Sequence, residues 1–183
     1  VGGGVPVDGS DGNETAKMLD GAHGAGRVYF CNPDNPTATI TPGKSLRSFI
    51  TAAPPATAIL VDEAYHHYAT SSDYASVIDL VAKQPNLVVS RTFSKTWSLA
   101  ALRLGYCIGP SWLVSALDDV VLPYHLDAVK QLAGSIALDF RKEMDERVSF
   151  LVEDSGRLVA ALAGLPVPVW PSGANFVLFR PAT

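Results

Sequence analysis

Charge is sparse in this sequence and nowhere concentrated. Aspartate and glutamate number 18, lysine and arginine 14, together 17% of 183 residues, with a formal net charge of −4. The basic residues fall singly and form no stripe that would track a phosphate backbone, so no nucleic-acid partner is expected. No apolar run approaches the length of a membrane-spanning helix, and no membrane partner is expected. Cysteine is scarce too. Cys31 and Cys107 both lie in apolar strand-like runs. No disulfide framework or metal-ligand spacing links them, and they are expected as buried core thiols in a reducing compartment. The opening VGGGVPVDGSDGNE has neither an initiating methionine nor a signal-peptide pattern, and the chain stops just after NFVLF. A piece of a longer protein is therefore expected.

What is present is a core. Hydrophobic residues make up 48% of the chain, a globular balance. RVYFC (27–31), TAILV (57–61) and NLVVS (86–90) are short apolar runs that read as strands buried on both faces. Between the first two, Thr41 is placed to cap a helix carrying Leu46, Phe49, Ile50 and Ala53. Between the second and third, Tyr74, Val77, Ile78 and Val81 follow helical spacing. The repeat of about thirty residues predicts βαβ units, hence an α/β protein with a mainly parallel sheet flanked by helices. LGYCIG (104–109) comes too soon for a full crossover and is expected to run antiparallel. Ser111 is placed to cap a helix through Leu117. Leu126, Val129, Leu132, Ile136 and Phe140 mark another. A long helix presents Met144, Val148, Leu151, Ser155, Leu158 and Leu162, and ends at Gly164 and Pro166. Residues 1–140 are expected to form a large domain whose N-terminal part is missing. Residues 141–183 would be a linking helix and the start of a smaller α+β domain, with NFVLF (175–179) as its strand.

In parallel sheets, ligands collect beyond the carboxyl ends of the strands. There the sequence places NPDNPT with Asn32 and Asn35, then DEAYHHY with Asp62, Glu63 and Tyr65, then RTFSK with Thr92, Ser94 and Lys95. An amide, a carboxylate with a phenol, and an amine with hydroxyls converge on one edge. Pyridoxal phosphate asks for such a set: a lysine for its aldehyde and an acid for its ring nitrogen. Its phosphate calls for hydroxyls and preferably an arginine, here Arg103.

NPDNPT, DEAY and SRTFSK with LAALRLGY, in that order, resemble the fold-type I pyridoxal-phosphate-dependent aminotransferases of class I/II, most closely the histidinol-phosphate aminotransferase branch. The resemblance runs from about Arg27 to the end. It implies pyridoxal 5'-phosphate as cofactor, with Asn35 and Tyr65 at its phenolic oxygen and Asp62 at its ring nitrogen. It implies Lys95 on its aldehyde, and Thr92, Ser94 and Arg103 at its phosphate. Lys95, Asp62 and Tyr65 would be the catalytic residues. A small-molecule amino donor, a 2-oxo acid acceptor, a homodimer when full length, a cytoplasmic location and a place in amino-acid biosynthesis, histidine biosynthesis in particular, are implied as well. The family usually has glycine at the positions of Ala38 and Ala101. Its N-terminal part and the later arginines that hold the substrate carboxylate have no counterpart here. Related members decarboxylate threonine phosphate with the same cofactor contacts, so that activity stays an alternative. So does a catalytically incomplete fragment acting only as a folding or binding module.

Plainer readings stand beside these. Singly, Lys95 is an ordinary solvated lysine, Asp62 a helix cap, Tyr65 a core aromatic, Asn35 a turn residue. Thr92 and Ser94 could satisfy local backbone groups, and Arg103 could pair with a surface acid. His66 and His67 are adjacent and lack a third ligand at helical spacing, so no metal is expected. TPGKS (41–45) lacks the first glycine of a phosphate-binding loop, the residue there being Ala38, and reads as a helix start.

Overall fold

The computed structural model describes residues 15–181; the opening segment lies outside the described residues. Strands β1 (Arg27–Cys31), β2 (Ala58–Asp62), β3 (Leu87–Thr92) and β4 (Gly105–Ile108) form one sheet in the order β1-β2-β3-β4. β1, β2 and β3 run parallel and β4 antiparallel to β3, as the short spacing predicts. Helix α1 (Thr15–Ala22) precedes β1 and α2 (Gly43–Ala52) joins β1 to β2. After the sheet come α3 (Ser111–Val120), α4 (Ala128–Ala137) and α5 (Arg141–Ala163).

Strand side chains alternate between faces. Phe30, Ile59, Val61, Leu87 and Val89 point to one face and are buried with Leu46, Phe49 and Ile50 of α2. Phe30 meets Phe49 edge-on at 4.7 Å. Each such side chain contributes roughly 1.5–3 kcal/mol on burial. A second cluster joins Ala38, Tyr65 and Tyr68 to Met144 and Val148 of α5 and to Ala174.

Several local expectations fail for identifiable reasons. Thr41 does not cap α2. Its N–H is held by Asn32 Oδ1 at 2.9 Å and its carbonyl accepts from Asn32 Nδ2 at 3.1 Å, so Pro42 takes the cap position. The Tyr74–Val81 stretch is not an α-helix but the irregular end of the crossover from β2 to β3, with a 3₁₀ turn at Ile78–Leu80. Buried Glu63 accepts from Val77 N–H at 3.0 Å, drawing it out of helical bonding, and from the Ser76 hydroxyl at 2.8 Å. Ser111 is the first residue of α3 and makes no capping bond; Pro110 precedes it. Among the described residues, NFVLF pairs only through a bridge between Val169 and Phe179. Cys107 is exposed, not buried, because it lies on the less covered face of edge strand β4; Cys31 is half-buried.

Candidate active site

The carboxyl ends of three parallel strands share one edge, and β4, running the other way, begins there. Thr92 at the end of β3 therefore pairs with Gly105 at the start of β4. That reversal brings Arg103, eight residues after Lys95 in sequence, back to the edge. It needs a tight turn: Arg103 sits in the left-handed region at φ 53°, after a 3₁₀ turn over Ala100–Leu102. Gly105 lets the strands close up, since a Cβ there would lie 2.9 Å from the Arg91 carbonyl oxygen. Ala38 is likewise left-handed at φ 59°, a conformation that costs an L-residue about 1–2 kcal/mol.

Asn35, Asp62, Tyr65, Thr92, Ser94, Lys95 and Arg103 all line one cavity of about 560 Å³ at this edge, within the usual size of small-molecule sites. The pairing register sets Cys31, Asp62 and Ser90, which line it, in one row that continues to Cys107. The Asn35 amide donates to the Tyr65 hydroxyl at 3.0 Å, so the amide and the phenol act as a pair. Tyr65 is buried and its ring is backed edge-on by Phe176 at 5.2 Å. Lys95 is exposed into the opening, with Nζ 5.3 Å from the Tyr65 ring centroid and no salt bridge to a described residue. Its neighbours fix it. Phe93 and Thr96 are buried, Phe93 N–H bonds the Leu104 carbonyl at 3.0 Å, and Arg147 of α5 donates to the Thr96 carbonyl at 3.1 Å. Thr92 Oγ1 accepts from Ser94 N–H at 3.0 Å and donates to the Leu104 carbonyl at 3.3 Å. Arg103 contacts the Ala100 carbonyl at 3.1 Å and stays exposed.

The structure separates residues that the sequence leaves together. Asn35 reaches the cavity, while Asn32 is buried and closes the loop onto Thr41. Asp62 faces the cavity, and Glu63, on the opposite face, is buried against Arg91, with Arg91 Nη2 2.7 Å from Oε2. Sequence reasoning missed Tyr29, whose hydroxyl donates to Asp62 Oδ2 at 2.9 Å. The signal was available: in RVYFC, Tyr29 alternates with buried Phe30 and shares a face with Cys31. Burial, then the Asp62 charge, raise the Tyr29 phenol far above its ordinary value and push the Cys31 thiol up to about 11. Both are protonated at neutral pH.

The hollow at the start of α2 is larger, about 790 Å³, and includes Lys44 and Arg47 of TPGKSLR. Arg47 is engaged there by Asp79, with Nη1 2.8 Å from Oδ2, and Gly43–Ser45 form the first turn of α2.

The His66 and His67 rings lie against each other, centroids 3.7 Å apart and planes tilted by 38°. His66 Nε2 is buried without a hydrogen-bond partner among the described residues. Burial first, then His67 and Arg91, depress the His66 imidazole from 6.5 to about 3. The unfolded chain therefore binds the proton first, and stability contributed by neutral His66 is lost as pH falls from 6.5 towards about 3. His66→Phe is expected to flatten the decline in urea midpoint between about pH 7 and pH 4.5 relative to wild type. An unchanged slope would show that His66 is protonated without penalty.

Three comparisons bear on this arrangement. The family model described as aminotransferase class I and II matches residues 11–182. An aromatic amino acid aminotransferase of Corynebacterium jeikeium is 37% identical over 97% of this chain and 49% of its own length. A histidinol-phosphate aminotransferase of Bacillus cytotoxicus is 35% identical over 84% of this chain and 41% of its own. Among solved structures, the histidinol-phosphate aminotransferase of Sinorhizobium meliloti in complex with pyridoxal-5'-phosphate superposes with a TM-score of 0.84 at 27% identity, covering 91% of this chain and 46% of that one. The chain spans half or less of the length of these relatives.

Proposed function

The chain belongs to the class I and II aminotransferases, and from that premise we propose that its cavity is a pyridoxal-phosphate site and that the whole protein is an aminotransferase. One observation carries the reading: seven side chains from three separate strand ends and the turn before β4 line a single cavity with a donor set that suits this cofactor. Lys95 would hold the aldehyde, Asp62 the ring nitrogen, and the Asn35–Tyr65 pair the phenolic oxygen. Thr92, Ser94 and Arg103 would hold the phosphate through hydroxyls and a planar guanidinium. Bound there, the cofactor supplies an electron sink for a carbanion. The chain supplies the rest. The Asp62 carboxylate keeps a proton on its partner nitrogen. The Tyr65 hydroxyl, oriented by Asn35, donates to an oxygen anion. Lys95 Nζ, freed once the substrate amine takes its place on the aldehyde, would take the proton from the substrate α-carbon as general base and then, as acid, deliver it to the former aldehyde carbon.

The substrates would be an amino donor and a 2-oxo acid acceptor. The relatives' names, aromatic amino acid and histidinol-phosphate aminotransferase, suggest a donor with a ring-bearing side chain, histidinol phosphate or an aromatic amino acid. A panel of amino donors, tested with 2-oxoglutarate on the whole protein and pyridoxal phosphate, decides this. Ring-bearing donors are expected to yield glutamate fastest. Carbon dioxide release from threonine phosphate without glutamate formation would overturn transamination in favour of decarboxylation.

A further inference from the structure

Asp62 is a short side chain held at both oxygens. Oδ1 accepts from the Ala64 N–H at 3.0 Å and Oδ2 from the Tyr29 hydroxyl at 2.9 Å. The first contact comes from the chain's own turn after β2. The second comes from the neighbouring strand β1, two residues before Cys31, the pairing partner of Asp62. Resting on the cofactor reading above, we propose that Tyr29 is a positioning residue that sets the plane of the Asp62 carboxylate for a protonated aromatic nitrogen.

The stereochemistry explains why a second anchor matters. One backbone N–H leaves the carboxylate free to rotate about its terminal torsion, which is broad and weakly restrained. A donor on the other oxygen closes that freedom, and each oxygen keeps a second lone pair for a ligand. Tyr29 is the donor in this contact, because an ionised carboxylate offers only acceptors. Nor does Tyr29 belong to the core: it is 55% exposed and lines the cavity. The contact serves the cavity rather than the fold.

The test uses two probes, pyridoxal phosphate and its analogue with CH in place of the ring nitrogen, on the whole protein as wild type and Tyr29→Phe. With pyridoxal phosphate, the lost charge-assisted bond is expected to weaken binding about tenfold. With the analogue, whose ring gives Asp62 no hydrogen-bond partner, the loss should be under about twofold. The melting temperature of the cofactor-free variant should match wild type. Equal losses for both probes would mean that Tyr29 shapes the cavity without acting through Asp62, and no loss for either would mean that it does not position Asp62. Both results overturn the proposal. Wild-type protein that binds neither probe would instead overturn the cofactor reading on which it rests.

Discussion

Lys95→Ala is expected to abolish covalent retention of pyridoxal phosphate and to lower the transamination rate roughly 10²- to 10⁴-fold, the usual contribution of a positioned proton-transfer group. The fold should survive. Lys95 is exposed, and its loop is rooted by buried Phe93 and Thr96 and by the Arg147 bond to the Thr96 carbonyl. Thermal unfolding of the cofactor-free variant should therefore match wild type, so that lost activity cannot be ascribed to lost structure. The decisive measurement is mass spectrometry after borohydride reduction. Wild type should carry one pyridoxyl group on the peptide containing Lys95, and the variant none. A pyridoxyl group on Lys44, beside the other hollow, would move the site to α2 and end the reading.

The second large effect lies beneath the cavity. Glu63→Ala is expected to lower stability by about 3–5 kcal/mol, because it strands the Arg91 guanidinium in a water-poor pocket. Its carboxylate side chain is 2% exposed and that of Arg91 16%. Oε2 takes Arg91 Nε at 3.1 Å and Nη2 at 2.7 Å, while Oε1 takes the Val77 N–H at 3.0 Å. Both oxygens are thus committed, and the crossover at Ser76–Val77 is tied to the end of β3 through them. Replacing both partners, Glu63→Leu with Arg91→Met, should recover part of the loss, since no buried charge is then left alone. Urea denaturation of the single and double variants measures the difference. A Glu63→Ala loss below about 1 kcal/mol would mean that water reaches the pair and that it behaves as a surface contact.

Much of the lining of the candidate site was legible because its residues are local in sequence. The strands were readable as apolar runs, and the residues leaving each strand end are contiguous in sequence, so NPDNPT, DEAYHHY and RTFSK could be placed at one edge from order alone, while the choice of Asn35, Asp62, Tyr65, Thr92, Ser94 and Lys95 within them rested on the family resemblance. The antiparallel sense of β4 came from its short connection. The helix assigned to Tyr74–Val81 failed because periodicity carries no record of Glu63, a buried acceptor just after β2 that takes the Val77 N–H. NFVLF has strand-like composition, but composition does not supply a pairing partner beyond Val169.

Residue order and apolar patterning were enough to tell which chemical groups reach the strand ends: an amide, a carboxylate, a phenol, hydroxyls and an amine. Apart from the family resemblance, choosing between neighbours took the three-dimensional fold. It aimed Asp62 into the cavity and Glu63 into the protein, chose Asn35 over Asn32, and brought Tyr29 onto Asp62. For Asn35 the reason is the loop after β1, where the Asn32 side chain is tied to Thr41; for Asp62 and Tyr29 it is the two-residue alternation of a strand combined with pairing register. A side chain's face depends on which residue the next strand sets opposite it, and that contact joins positions some thirty residues apart in the chain.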